Sequence, residues 1–176
     1  GTVRIEGKFN GEITSEGALS IARSSNSYNS WGATGVNNTN GRINAKGSLP
    51  VDSANLDNTS GSLTSNGSMS VNVDTLTNNN GVISAGNGWN MINASMLNND
   101  NGVIQTQGRD SQLQVSGNNM LSNHNGTIHS DGSVSINGAL DNMSGTISAG
   151  NDIFMYGSSY YSDLASKLEA GHNIDM

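Results

Sequence analysis

From about residue 36 onward, apolar residues alternate with polar ones in short runs, and the runs return in phase. Gly41, Gly61, Gly81, Gly102, Gly126 and Gly145 lie 20, 20, 21, 24 and 19 residues apart. Two positions after each glycine stands an aliphatic residue: Ile43, Leu63, Ile83, Ile104, Ile128 and Ile147. Five positions before stand Val36, Leu56, Leu76, Leu97, Leu121 and Leu140. A further alternating pair follows in each unit: Leu49 and Val51, Met69 and Val71, Trp89 and Met91, Leu113 and Val115, Val134 and Ile136, Ile153 and Met155. Alternation at period two is the strand signal. Helical spacing is sustained nowhere, and Gly, Asn and Ser disfavour a helix interior. Each unit therefore reads as short strands joined by Gly/Asn corners.

A period near twenty with short strands is a solenoid signature. Leucine-rich repeats need a longer, leucine-dense, helix-bearing unit, so the expected fold is all-β, a right-handed parallel β-helix of about 20-residue coils. A few aliphatics per coil do not offset the entropy of ordering the whole coil, so each must stack on its neighbours. A seventh unit (Gly11 to Ile13, with Leu19 and Ile21) precedes the six. An eighth, "KLEAGHNIDM" (Lys167 to Met176), matches "TISAGNDIFM" (Thr146 to Met155) at an offset of 21.

Three positions before each corner glycine sits an asparagine: Asn38, Asn58, Asn78, Asn99, Asn123 and Asn142. Stacked coils would bring these amides together as a hydrogen-bonded ladder, and asparagine also tolerates a left-handed corner, as does the nearby glycine. The competing reading, six asparagines as ligands, has no further donor set to support it. Outward positions that share an offset predict two exposed ion pairs between neighbouring coils, Glu12 with Arg42 and Glu16 with Lys46, each contributing about 0–1 kcal/mol.

The repeat breaks in three places. "RSSNSYNSWGATG" (Arg23 to Gly35) adds about ten residues to a coil; its Tyr28 and Trp31 have no periodic inward position and either form a recognition patch or fold down over the coil. Arg109 to Gln112 is a smaller bulge, and "SGNNM" lengthens the corner that follows. Near the end, residues 156–166 replace the usual corner. By alignment Tyr161 takes the aliphatic place, Asp163 that of the ladder asparagine and Ser166 that of the glycine, so this irregular coil reads as a change of repeat type. The chain as a whole (1–176) reads as a single β-helix segment of a longer protein.

Composition narrows the function. Only 33% of residues are hydrophobic and 5% aromatic, which fits a narrow repetitive core better than a wide one. A formal charge of −7 with seven Lys plus Arg excludes a nucleic-acid footprint and docking on anionic lipid. No apolar run is long enough to span a membrane. There is no cysteine, hence neither disulfides nor a thiolate metal site. The carboxylates fall at scattered offsets; Asp57 and Asp141 share one but lie four coils apart, roughly 19 Å at the usual strand spacing, too far for a glycosidase pair. His124 and His129 flank one corner without a further ligand, and no nucleophile–base arrangement stands out. The repeated Gly-Asp calcium pattern of RTX proteins is absent. No catalytic or metal residue and no cofactor is assigned.

Written as Leu-x-Asn-x-x-Gly-x-Ile-x-Ala/Ser-x-Gly-x-Leu-x-Val, the motif resembles the haemagglutinin repeat of filamentous haemagglutinins and related large exoproteins of Gram-negative two-partner secretion. "LDNTSGSLTSNGSMSV" and "LDNMSGTISAGNDIFM" carry the likeness, which is strong from Val36 to Met155. The resemblance implies a secreted, non-enzymatic, monomeric rod at the bacterial surface, exported through an outer-membrane transporter partner. It implies presentation of binding or toxin regions, as an adhesin meeting a receptor or glycan of a host cell or neighbouring bacterium, or as the inert rod of a contact-dependent growth inhibition effector. A β-helical polysaccharide-degrading enzyme is the third reading.

Overall fold

The computed structural model describes residues 2–3, 7–8, 11–21 and 35–176. Tyr28 and Trp31 lie outside the described residues, as does nearly all of the 23–35 insertion. Every described element is a strand, and every strand pairing is parallel.

One face of the solenoid is an eight-stranded sheet of four-residue strands. In spatial order these are β3 (Glu12–Ser15), β6 (Arg42–Ala45), β8 (Ser62–Ser65), β10 (Val82–Ala85), β12 (Val103–Thr106), β14 (Thr127–Ser130), β16 (Thr146–Ala149) and β19 (Lys167–Ala170). The opposite face is a twelve-stranded sheet whose five central strands, of 9–11 residues, are the longest described. It runs β1 (Thr2–Val3), β4 (Ser20–Ile21), β7 (Leu49–Asp57), β9 (Met69–Thr77), β11 (Trp89–Asn98), β13 (Gln112–Ser122), β15 (Ser133–Asp141), β17 (Ile153–Tyr156) and β20 (Ile174–Asp175). Beside this path, β5 (Val36–Asn37) joins β2 (Gly7–Lys8) to β7, and β18 (Tyr160–Tyr161) pairs with β15. Spatial order follows chain order because each coil lies on the one before it. Such stacking leaves the interior strands without free edges, and their backbone groups are satisfied from both sides.

The core is the narrow space between the sheets, filled by columns of like residues. Ile43, Leu63, Ile83, Ile104, Ile128 and Ile147 form one buried column, and Val36, Leu56, Leu76, Leu97, Leu121 and Leu140 another. Alternation of buried and partly exposed positions along β8, β10, β12, β14 and β16 is complete. A one-residue slip would turn each column out to solvent, so the burial pattern itself pins the register. The two expected ion pairs are present: Glu12 lies opposite Arg42 in β3 and β6, with Nε–Oε1 at 3.8 Å, and Lys46 meets Glu16.

Two positions depart from the sequence reading. The alternation places Trp89 and Met91 inward, yet Trp89 is 63% exposed and the inward places belong to Asn90 and Ile92, each 1% exposed. Asn90 sits opposite Leu113 and Ile92 opposite Val115. One extra residue before β11 moves the register, and Gly88 absorbs it at φ 118°. The buried amide is fully used: Asn90 Oδ1 accepts from Met69 N at 2.8 Å, while Nδ2 donates to the carbonyls of Gly86 (3.0 Å) and Gly88 (3.1 Å). Second, Tyr160, not Tyr161, stands opposite Leu140 and packs on the core, while Tyr161 is exposed. Ser162 is the additional residue that lets the chain still reach a corner at Asp163. The bulge at Arg109 to Gln112 leaves Leu113 buried, in the place the alternation gives it, and brings Ser111 into the interior. There Ser111, Thr106 and Ser130 join their hydroxyls in a triangle with sides of 3.1, 2.9 and 2.9 Å.

Candidate functional site

The six corner asparagines are fully buried. Each side-chain nitrogen donates to the side-chain oxygen of the next coil's asparagine: Asn38 to Asn58 at 2.6 Å, then Asn58 to Asn78, Asn78 to Asn99, Asn99 to Asn123 and Asn123 to Asn142, all at 2.7 Å. The same nitrogens also approach backbone carbonyls, as Asn78 does those of Gly81 and Val103 at 3.2 Å. Buried amides in such a chain leave no donor free to take a ligand; the row holds the corners together.

The corner conformation differs from expectation in one respect. Neither the ladder asparagine nor the corner glycine has positive φ. The left-handed residue is the one just before the glycine: Asn40, Ser60, Asn80, Asn101, Asn125 and Ser144, at φ of 52–56°. Glycine is required for a different reason. A Cβ at Gly61, Gly102 or Gly145 would lie 2.1 Å from the carbonyl oxygen of the previous coil's ladder asparagine, and at Gly81 or Gly126 2.2 Å. Close approach of the coils, not backbone torsion, selects glycine there.

The ladder ends at the irregular coil. Asp163 occupies the corner after Asn142, but Asn142 Nδ2 makes its bond to Gly145 O at 3.1 Å. The Asp163 carboxylate turns outward and accepts from Ser144 N (2.9 Å), Ser144 Oγ (2.7 Å), Ala165 N (3.0 Å) and Ser166 Oγ (2.8 Å). These donors, those of Ser144 foremost, hold its pKa well below the usual carboxylate range.

The two histidines do not converge. His124 Nε2 lies 2.8 Å from Asp141 Oδ2 in the neighbouring coil. That close carboxylate contact raises its pKa against a smaller opposing effect of burial, with Asp141, Asp100 and Asp163 adding attraction. His129 points outward from β14, its Nδ1 2.9 Å from Ser148 Oγ and its Nε2 3.1 Å from Asp131 Oδ1. Asp131 also accepts from Gly108 N at 2.9 Å, and that bond, then His129, lowers its pKa. Serine, histidine and aspartate in one chain of contacts is the outline of a hydrolytic triad. Its other requirement is a pair of donors for an oxyanion. Here β16, which carries Ser148, is paired on both sides, with β14 and β19, so its backbone donors serve the sheet. Among the described residues, no three His, Asp or Glu side chains are grouped to hold a metal.

The outward face of the twelve-stranded sheet is different in kind. Trp89, Gln112, Gln114, Ser133, Ser135 and Phe154 line one shallow groove across β11, β13, β15 and β17. Tyr156, two residues beyond Phe154 on the same face, stacks parallel to it with ring centroids 6.3 Å apart. The signal available in the sequence is the tryptophan itself, but its place in the alternating pattern conceals it.

The haemagglutinin-repeat family model matches residues 14–88 and again 88–153. No curated protein and no solved structure matches the chain. With most of its length covered by two successive matches, the chain belongs to the haemagglutinin-repeat family.

Proposed function

We propose that this chain is a shaft segment of a large adhesin-like exoprotein, displayed at the bacterial surface after passage through an outer-membrane transporter partner. The observation that carries the reading is the unbroken stack. Eight short strands and the longer sheet behind them repeat one cross-section along the axis, with a buried amide bond tying each coil from Asn38 to Asn142 to the next. A solenoid of this kind couples each coil only to its neighbours and extends without limit of core size. Membership in a structural, adhesin-type repeat family supports the same assignment. The mechanism is mechanical: a stiff rod sets distal binding or toxic parts at a distance from the cell.

The test is immunolabelling of intact, unpermeabilised cells with antibody against this chain, with and without the transporter. Surface label that vanishes without the transporter is the expected result; label confined to the cell interior sinks the proposal. Adhesin and toxin-delivery roles separate by adding the purified chain to target cells. Direct adherence supports the adhesin, while an inert chain assigns receptor binding to another part of the protein.

A further inference from the structure

We infer that the outward face of β11 to β17 is a binding site for a neutral oligosaccharide, with Trp89 and Phe154 as stacking platforms and Gln112 and Gln114 as the hydrogen-bonding floor. The inference extends the surface-shaft reading and rests on it for its biological setting only.

Three observations carry it. First, aromatic side chains ordinarily go to the interior, where their large area is best used. Among the described residues the core takes only the partly buried Tyr160. Trp89, Phe154 and Tyr156 instead share one sheet face, with Trp89 and Tyr156 each 63% exposed. Second, Trp89 faces solvent at the expense of a local rule. The coil gives its inward position to Asn90, a polar side chain needing three hydrogen bonds to be accommodated, and takes a positive-φ glycine at Gly88 to do so. Departures of this kind concentrate at functional surfaces. Third, the floor between the aromatics is uncharged: Gln112, Gln114, Ser133 and Ser135.

The chemistry of that face selects its occupant. Primary amides and hydroxyls both donate and accept, which matches the hydroxyls of a sugar. Flat aromatic rings match the C–H faces of a pyranose. Trp89 and Phe154 are three strand spacings apart across the sheet and two residues apart along it, about 16 Å between backbone positions, the reach of a short saccharide chain and not of one ring. A nucleic acid or acidic glycan would need cations, and no Lys or Arg lines the groove of this −7 chain. A peptide adding as a strand needs a free sheet edge, whereas β13 and β15 are paired on both sides.

The experiment is calorimetric titration of the purified 176-residue chain with cellohexaose, maltohexaose, laminarihexaose and chitohexaose, with a heparin hexasaccharide as the charged comparison. Saturable binding of at least one neutral hexasaccharide is expected. It should weaken at least tenfold in Trp89→Ala and in Phe154→Ala, weaken in the Gln112→Ala/Gln114→Ala double variant, and be unchanged in Tyr161→Ala, an exposed aromatic outside the groove. Circular dichroism and the urea midpoint establish that each variant is folded; should Trp89→Ala fail to fold, the glutamine pair carries the test. Absence of saturable binding to every neutral sugar, preference for the heparin fragment, or binding indifferent to both the aromatic and the glutamine variants overturns the inference. So does a concentration-dependent dimer that Trp89→Ala abolishes, which would make this face a self-association surface. Surface labelling is unaffected by any of these outcomes, so failure here is distinct from failure of the shaft reading.

Discussion

At the scale of single residues the corners set the tolerances. Asn78 accepts from Asn58, donates to Asn99 and approaches two carbonyls, so Asn78→Ala strands buried partners above and below. Urea denaturation should show a loss of about 2–4 kcal/mol, the range for breaking a buried polar network. Ser60 and Gly61 make a paired test of what the corner needs. Ser60→Gly relieves a left-handed serine at φ 53° and should fall within about 1 kcal/mol of neutral, on the stabilising side. Gly61→Ala drives a Cβ to 2.1 Å from Asn38 O and should cost at least the upper end of the about 1–3 kcal/mol of ordinary overpacking. If glycine were there for its torsion alone, Gly61→Ala would cost only about 1–2 kcal/mol, that of a left-handed alanine. Position and spacing of these residues are legible in the sequence; which of the three corner residues turns left-handed is not, because Asn, Ser and Gly all tolerate that region and only the packed coils show which one meets a carbonyl.

Elements add register and charge to this. The columns Ile43 to Ile147 and Val36 to Leu140 are legible in the sequence because their spacing from the corner glycine never varies. The slip at Trp89 is hidden because Trp89 follows Ile83 at the same distance as Met69 follows Leu63 in the coil before; only an inserted bulge, invisible to counting, exchanges Trp89 for Asn90. Tyr160 and Tyr161 are adjacent and alike, so alignment has no chemical ground for choosing between them. Nor does sequence alone join Ser111 to Thr106 and Ser130, since the bulge between them carries no period. The corner linking β13 to β14 is also where pH acts. His124 is held above its usual pKa by Asp141, so its contribution to stability is complete below about pH 6.5, the unfolded value, and is lost as pH rises through the raised folded value. Asp131 and Asp163, both lowered, contribute above about pH 3.9 and lose that contribution as pH falls through their folded values. Urea midpoints measured across about pH 5 to 8 should therefore decline in the wild-type chain more than in His124→Gln, with the difference confined to the alkaline side of that window.

For the whole molecule the repeat predicts modularity. Removing Ser62 to Gly81, one coil of 20 residues by the Asn58-to-Asn78 spacing, joins Gly61 to Val82 with the same pattern on either side. The shortened chain should fold, keep its far-UV circular dichroism per residue, and lose about 4.8 Å of length by small-angle scattering. Removal of half a coil should instead cost cooperative unfolding, because the chain after the cut would lay its strands against the corners of the coil before it and break the stack there.

The asparagine row also gives the rod a direction. All five side-chain bonds run the same way, nitrogen of the earlier coil to oxygen of the later one, so their dipoles align and reinforce one another. Reversing a single amide would set donor against donor on one side and acceptor against acceptor on the other. The orientation of the first amide is thus inherited by every coil laid down after it, and a chain arriving N-terminus first would find each finished coil already presenting the polar template on which the next one closes.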